Sequence, residues 1–415
     1  MLPSSAAVSQ EPNLLAPVAP DERIHALDVL RGWAMFGVLW SNLNDWYGAP
    51  APVTATGRFL LWLQDNLMET RFYTLLCLLF GIGFGIQALR AANRGVDVRT
   101  VYYRRALALL AIGIVHGCLV WNGDILTIYA LVAFALVMFR KVGARRVLVS
   151  AAVLWFVVPE IVSRAKFVAG MRFWKPWPWN PTTDWLFAHG TWGQIERIRV
   201  AGYLDWFGRF GLAYYFSILA TFLMGLWALK SGYLRRVIDD PRTTRRLLVG
   251  AIIAATIGYA SNAYAARLWP PLKVPVAGFT DPYFWYPRRF VLHFLDWSVE
   301  GTAVAYAAVL LLLWQRPRIA RALRPLATTG RMALTTYLTQ SVVCTSLFYG
   351  YGLKWYGRVG HTGMLLILVI LFGCQMAAST WWLARFRFGP VEWLWRTASY
   401  GRAPKMRITT AHLPA

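Results

Sequence analysis

Acidic residues are scarce in this chain: 19 Asp and Glu stand against 43 Lys and Arg, a formal charge of +24. Cysteine is scarcer still, with Cys77, Cys118, Cys344 and Cys374 each inside an apolar stretch and none at metal-ligand spacing. That excludes a disulfide framework and predicts four small buried apolar side chains. No phosphate-binding P-loop, zinc-binding HExxH or nucleophile elbow occurs, and no internal repeat is evident. The period-2 alternation of barrel strands is also missing, which leaves helices as the only way to satisfy backbone groups in lipid.

What the chain has in abundance is apolar sequence, 57% of its residues. Ten long apolar stretches run roughly over 26–44, 71–89, 103–120, 124–139, 146–163, 207–229, 247–265, 290–314, 332–350 and 363–384. About 20 such residues in a helix cross a hydrocarbon core of about 30 Å. The expected fold is therefore all-α, a polytopic membrane helical bundle of about ten transmembrane helices.

Arginine is concentrated in alternate connections: Arg90 to Arg105, Arg140 to Arg146, Lys230 to Arg246, Arg316 to Arg331, and the tail from Arg385 to Arg407. Positive charge in short loops marks the cytoplasmic side, so both termini are expected there. The same reasoning assigns the basic charge to topology and not to nucleic acid, with the lipid bilayer as the principal partner. Residues 1–22 read as a disordered leader, 23–400 as one transmembrane helical domain and 401–415 as a basic tail. Segment 57–70 reads as an amphipathic helix leading into the second span. The Trp- and Pro-rich outer segments 164–206 and 266–289 read as interfacial anchors, or as a lid over an outer cavity.

Ionisable residues within spans are costly and line cavities or pair with each other. At the inner end Asp28 and Arg31 lie three apart on one helix face, as a local ion pair or a ligand site. At the outer end stand Asn42, Asp45, Glu69, Arg71, His116, Asp124, His293, Asp296 and Glu300, from different helices at similar depth. His116, in AIGIVHGCLVWNGDILTIYAL, suits general acid–base work. Asp124 lies across a very short turn, where it either orients His116 or caps the next helix. Gly81, Gly83 and Gly85, in LLFGIGFGIQ, read as a surface for close helix approach. No metal site is expected.

At these residues the sequence resembles a known family. RIHALDVLRGWAMFGVLWSNL, ETRFYTLLCLLFGIGFGIQ, HGCLVWNGDILTIYAL, TTGRMALTTYLTQS and RFRFGPVEWLWRTASYG together look like the YeiB-like family of bacterial inner-membrane proteins, DUF418, over nearly the whole chain. The resemblance implies a multi-pass protein of the bacterial cytoplasmic membrane. A wider resemblance joins Arg31-Gly32, followed by Asn42, to the heparan glucosaminide N-acetyltransferase group, and more distantly to the membrane acyltransferase-three family. Those enzymes move an acyl group from a cytosolic donor to an acceptor across the membrane.

That resemblance implies acyl-CoA or acetyl-CoA as donor, held at the inner side by Asp28, Arg31, Arg331 and Arg387. It also implies a small-molecule, glycan or lipid acceptor, with Asn42 polarising the thioester carbonyl. That group has a histidine shortly after the asparagine, whereas LNDWYGAP here has none, so the base would be His116 supported by Asp124. Asp45, Glu69, Arg71, His293, Asp296 and Glu300 would line the acceptor cavity, and a homodimer is compatible. Two alternatives stay open: a proton-coupled transporter or lipid or solute flippase, and a non-catalytic scaffold.

Overall fold

A computed structural model describes residues 23–48, 54–158, 161, 181–268 and 297–408. The leader, residues 164–180 of the first Trp- and Pro-rich segment and 269–289 of the second lie outside these residues. In chain order the helices are α1 (His25–Trp46), α2 (Ala55–Leu63), α3 (Arg71–Asn93), α4 (Arg99–Leu119), α5 (Leu126–Leu136), α6 (Ala144–Phe156), α7 (Pro181–His189) and α8 (Trp192–Lys230). They continue as α9 (Tyr233–Asp239), α10 (Pro241–Leu268), α11 (Trp297–Trp314), α12 (Pro317–Ala322), α13 (Arg324–Arg331), α14 (Ala333–Phe348), α15 (His361–Leu383) and α16 (Pro390–Tyr400). Among the described residues the one extended pairing is an isolated antiparallel bridge between Phe386 and Arg407.

A helix underlies each of the ten apolar stretches. Four are long and apolar enough to cross a membrane unaided: the α2–α3 unit Ala55–Asn93, Pro241–Tyr264, Trp297–Trp314 and His361–Leu383. A fifth results if Tyr214–Lys230 and Tyr233–Asp239, bent by 71°, form one span. The remainder fall short for visible reasons. α4 carries Arg99, Arg104 and Arg105 in its first two turns, α5 has 11 residues and α14 has 16. Exposed aliphatic side chains such as Ile252, Ile253, Leu366, Val369 and Ile370 clothe α10 and α15. An apolar coat of that kind suits a lipid-facing helix and is a liability in water.

Helix crossings are set by glycines that meet carbonyl oxygens. A Cβ on Gly32 of α1 would lie 2.0 Å from the Leu326 oxygen, and one on Gly330 of α13 would lie 1.9 Å from the Asp28 oxygen. The same reciprocity joins α3 and α8, where Gly81 faces the Phe222 oxygen and Gly225 the Leu78 oxygen. No side chain fits at such a contact, so backbones approach as in other tightly packed membrane helices. The packing expectation thus holds for Gly81. It does not hold for Gly83, beside which there is open space.

α2 runs on through a wide π turn, Gln64–Met68, and breaks at Thr70, whose φ is +65°. The break leaves carbonyls needing donors. Arg71 donates to the oxygens of Asp65 (3.0 Å) and Glu69 (2.6 Å), Tyr306 to that of Leu67 (2.7 Å) and Tyr259 to that of Asn66. The arginine-rich connections converge through similar contacts. Lys230 Nζ donates to the carbonyls of Phe139, Arg140 and Val142, and Gln315 to those of Val237 and Ile238. Trp395 Nε1 donates to the Arg105 oxygen at 2.8 Å.

Candidate functional site

α4 ends at Leu119, and the backbone N–H groups of Val120 and Trp121 both return to the His116 oxygen. The tight turn that follows brings Asp124 back against α4. Asp124 Oδ1 lies 2.8 Å from His116 Nδ1, and its Oδ2 accepts from the Thr127 N–H (2.8 Å) and hydroxyl (2.9 Å). One carboxylate therefore does both jobs foreseen as alternatives, capping α5 and holding the imidazole. Gly113 makes room, since a Cβ there would stand 2.5 Å from Thr127 Oγ1. Both members of the pair are buried, His116 at 3% and Asp124 at 0% exposure. A carboxylate accepts only, so Nδ1 carries the proton and Nε2 offers a lone pair. Nε2 has no hydrogen-bond partner. An imidazole poised in this way can take a proton from a hydroxyl or amine.

Asn42 accepts from the Tyr73 hydroxyl through Oδ1, and its buried Nδ2 is unpaired. It shares a face of α1 with Trp46, four residues on. The Trp46 ring stands 4.9 Å from Trp121, which in turn stands 6.5 Å from His116. Asn42 and His116 belong to one neighbourhood, but no hydrogen bond joins them.

A cavity of about 360 Å³ opens at the N-terminal end of α1. Its mouth carries Arg23, Arg31, Arg90, Arg94, Arg105, Arg331 and Arg396 against two carboxylates, Asp28 and Glu392. Asp28 pairs with Arg31 (2.6 Å) and Arg23 (3.8 Å). Glu392 serves another purpose: it accepts from the N–H groups of Leu334 and Thr335 and from the Thr335 hydroxyl, capping α14 from α16. The mouth therefore holds a clear surplus of guanidinium charge.

Beyond it the wall turns apolar. Leu76, Leu79, Phe80, Gly83, Gln87 and Arg90 recur at helical spacing along α3, so one face of that helix lines the cavity from mouth to floor. Arg90 to Leu76 spans about 21 Å. The floor is formed by Val38, Ile125, Leu126, Tyr129 and Tyr337. Ile125 follows Asp124 directly, and the Tyr337 ring packs 5.1 Å from that of His116. His116 itself does not line the cavity; Tyr337 stands between.

A second pocket, about 570 Å³, lies at the other end of α1 between Asn44, Asp45, Asp184, Trp185 and Tyr356. The Tyr356 hydroxyl donates to Asp184 Oδ1 at 2.9 Å.

Of the residues foreseen from sequence, Asp28, Arg31 and Arg331 line the arginine-mouthed cavity and Asp45 the second pocket. Arg387 lies outside both; it is exposed, and its N–H pairs with the Met406 oxygen beside the tail bridge. Glu69 is exposed, Arg71 is engaged by the carbonyls of the π turn, and Glu300 is half-buried on α11, away from either pocket. His293 and Asp296 fall outside the described residues. Cys77 and Cys344 are buried as expected, whereas Cys118 is half-buried and Cys374 exposed. Among the described residues no cluster of His, Cys, Asp or Glu is arranged to hold a metal ion. Reading the sequence missed Tyr102, Tyr129 and Tyr337, and took Arg90, Arg94, Arg105 and Arg396 for topological charge alone. The available signal was a tyrosine in the middle of a span, as in MALTTYLTQS.

These features describe an all-helical protein with four or five candidate membrane spans and an arginine-mouthed cavity whose floor, at Tyr337, packs against a buried His–Asp pair. The chain belongs to the YeiB-like family. Its residues 228–402 match the family described as "Protein of unknown function (DUF418)". It is 30% identical to the uncharacterized protein YxaH of Bacillus subtilis over 93% of this chain and 96% of that one. Against the uncharacterized protein YeiB of Escherichia coli it is 29% identical over 90% and 96%. A 39.9 kDa protein of Bacillus acidopullulyticus is 28% identical over 93% and 96%.

Proposed function

We propose that the protein is a transmembrane acyltransferase, moving an acyl group from a cytosolic acyl-CoA to an acceptor hydroxyl or amine on the extracytoplasmic side. The observation that carries this reading is the buried His116–Asp124 pair packed directly behind Tyr337, at the closed end of an arginine-mouthed cavity. Acyl-CoA is anionic at one end and reactive at the other. Guanidinium groups bind phosphates through paired N–H bonds. A shaft of about 21 Å then separates that anchor from the base.

The arginine-rich connections share the end where the mouth lies, which supports a cytoplasmic mouth, cytoplasmic termini and ten crossings of a bacterial inner membrane. In the chemical step the acceptor's lone pair attacks the thioester carbonyl while its proton passes to His116 Nε2. Collapse of the adduct releases CoA, which leaves with that proton as the free thiol. Asp124 holds the Nδ1–H tautomer throughout. Asn42 keeps its expected part only if the thioester passes beyond Tyr337.

The test uses the full chain in lipid nanodiscs with radiolabelled acetyl-CoA and long-chain acyl-CoA. Thioester cleavage or acceptor labelling is expected, falling by about 10²- to 10⁴-fold in His116→Ala. Absence of both binding and cleavage in the unaltered protein overturns the reading. A carrier or flippase is the second reading, favoured by the 71° break between Tyr214–Lys230 and Tyr233–Asp239. Broken helices line substrate sites in many carriers. That reading requires flux driven by a pH gradient in proteoliposomes and no thioester chemistry.

A further inference from the structure

The shaft is apolar except at a few points, and two of those points are unsatisfied. Tyr102 and Tyr337 both line it and are 3% and 4% exposed; neither hydroxyl hydrogen has an acceptor, although the Ile125 N–H faces the Tyr337 oxygen. A buried donor left unpaired is unfavourable, and phenylalanine would fill the same space without that penalty. Apart from that Ile125 contact, each ring is held by packing. Tyr102 meets Phe84 edge to face at 4.5 Å, and Tyr337 leans on His116 at 5.1 Å. The two hydroxyls also differ in depth. Tyr102 sits one helical turn from the mouth residue Arg105, while Tyr337 forms the floor beside Ile125. By contrast the Tyr129 hydroxyl donates to the Tyr73 oxygen at 3.0 Å and accepts from Cys77 at 3.1 Å.

We infer that Tyr102 and Tyr337 form a hydrogen-bonding subsite for the arm of a thioester donor, with Tyr102 binding an amide of the arm and Tyr337 donating to the reacting carbonyl. This rests on the acyltransferase reading and deepens it. Tyr337 is thereby a catalytic residue and Tyr102 a donor-binding one. The reacting carbon lies at the floor, where the same phenol borders both the shaft and the imidazole. When the acceptor oxygen or nitrogen attacks, a carbon–oxygen or carbon–nitrogen bond forms and its proton goes to His116 Nε2. The carbonyl π pair moves onto oxygen, where the Tyr337 hydroxyl stabilises it. As the carbonyl re-forms, the carbon–sulfur bond breaks and the CoA thiolate takes the proton back from His116. A preorganised donor aimed at a developing oxyanion acts on kcat more than on ground-state binding.

The test separates this subsite from the wider reading. The probe is S-acetonyl-CoA, a thioether ketone that cannot be cleaved, carrying ¹³C at the ketone, bound to the full chain in nanodiscs. Its carbonyl stretch is expected at lower frequency than in water-free solvent. Tyr337→Phe should return it to the unbonded position with binding little changed. Tyr102→Phe should weaken binding about tenfold, the scale of one lost neutral hydrogen bond, and leave the stretch shifted. In turnover, Tyr337→Phe should lower kcat by about a hundredfold at constant donor KM, whereas Tyr102→Phe should raise KM. A bound probe whose stretch is unshifted, or whose shift survives in Tyr337→Phe, overturns the subsite and leaves the acyltransferase reading standing. A probe that does not bind at all removes the donor cavity and the subsite together. Should the Tyr337 variant fail to fold, the unaltered protein's carbonyl frequency still decides.

Discussion

The two ends of α1 differ in every respect that matters for binding. At its N-terminal end, backbones touch through Gly32 and Gly330, arginines gather, and Glu392 locks α16 onto α14. At its C-terminal end lies a wider pocket with Asp45, Asp184 and an exposed Trp185. Arg31 and Asp45, one from each pocket, are about 21 Å apart along the helix. A molecule with cationic and anionic recesses at opposite ends is suited to two different ligands, an anionic one entering from one side and a neutral or cationic one from the other. The contrast also has a mechanical side, because the cationic end is closely packed and the acidic end is open.

The sharpest way to break that contrast is Gly330→Val. A Cβ there falls 1.9 Å from the Asp28 oxygen and 2.6 Å from the Gly32 nitrogen, so α1 and α13 must separate. Overpacking of this kind costs about 3 kcal/mol or more. A large fall in Tm in detergent is expected, along with loss of phosphate-end binding, because Asp28 and Arg31 move with α1. An unchanged Tm would mean that the crossing is looser than these distances imply.

Gly83→Phe has a narrower effect. Nothing stands within 4 Å of a Cβ at Gly83, and the residue lines the shaft midway between Leu76 and Arg90. The new ring should fill the shaft without displacing a helix, leaving Tm unchanged and lowering long-chain acyl-CoA affinity by about a hundredfold, the scale of burying one large apolar side chain where a ligand chain would lie. Affinity that does not fall would place the donor elsewhere.

Much of this was legible before the structure. The His116–Asp124 pair could be read because WNGD leaves so few residues between α4 and α5 that their ends must adjoin. The helices too could be read, since apolar runs near 20 residues have one solution in lipid. The mouth was legible only in part. Charge bias says that Arg90, Arg105 and Arg396 share a side of the membrane, but not that their helices converge on one opening. Arg387 lies outside the cavity for the same reason: it is close in sequence to the mouth, but its backbone N–H pairs with the Met406 oxygen and its side chain is exposed. Arg71 is buried at the start of α3, the end of the span where the sequence put it, yet its partners are carbonyls at a π turn that no sequence pattern announces. The two tyrosine donors were invisible because a hydroxyl's lack of an acceptor is a property of its neighbours.

Asp184→Asn should have the smallest effect and tests whether the acidic end is a separate site. Asparagine keeps an oxygen for the Tyr356 hydroxyl, so the local fold should persist. What is lost is one of the two carboxylates facing the pocket. A partly exposed charge interaction is worth about 1 kcal/mol, which corresponds to about a fivefold rise in KM for a cationic acceptor. The KM of an uncharged alcohol should stay where it was, and so should the donor's. A change in donor KM would mean that the two pockets communicate through α1, and the division of labour between its ends would have to be replaced by a single coupled site.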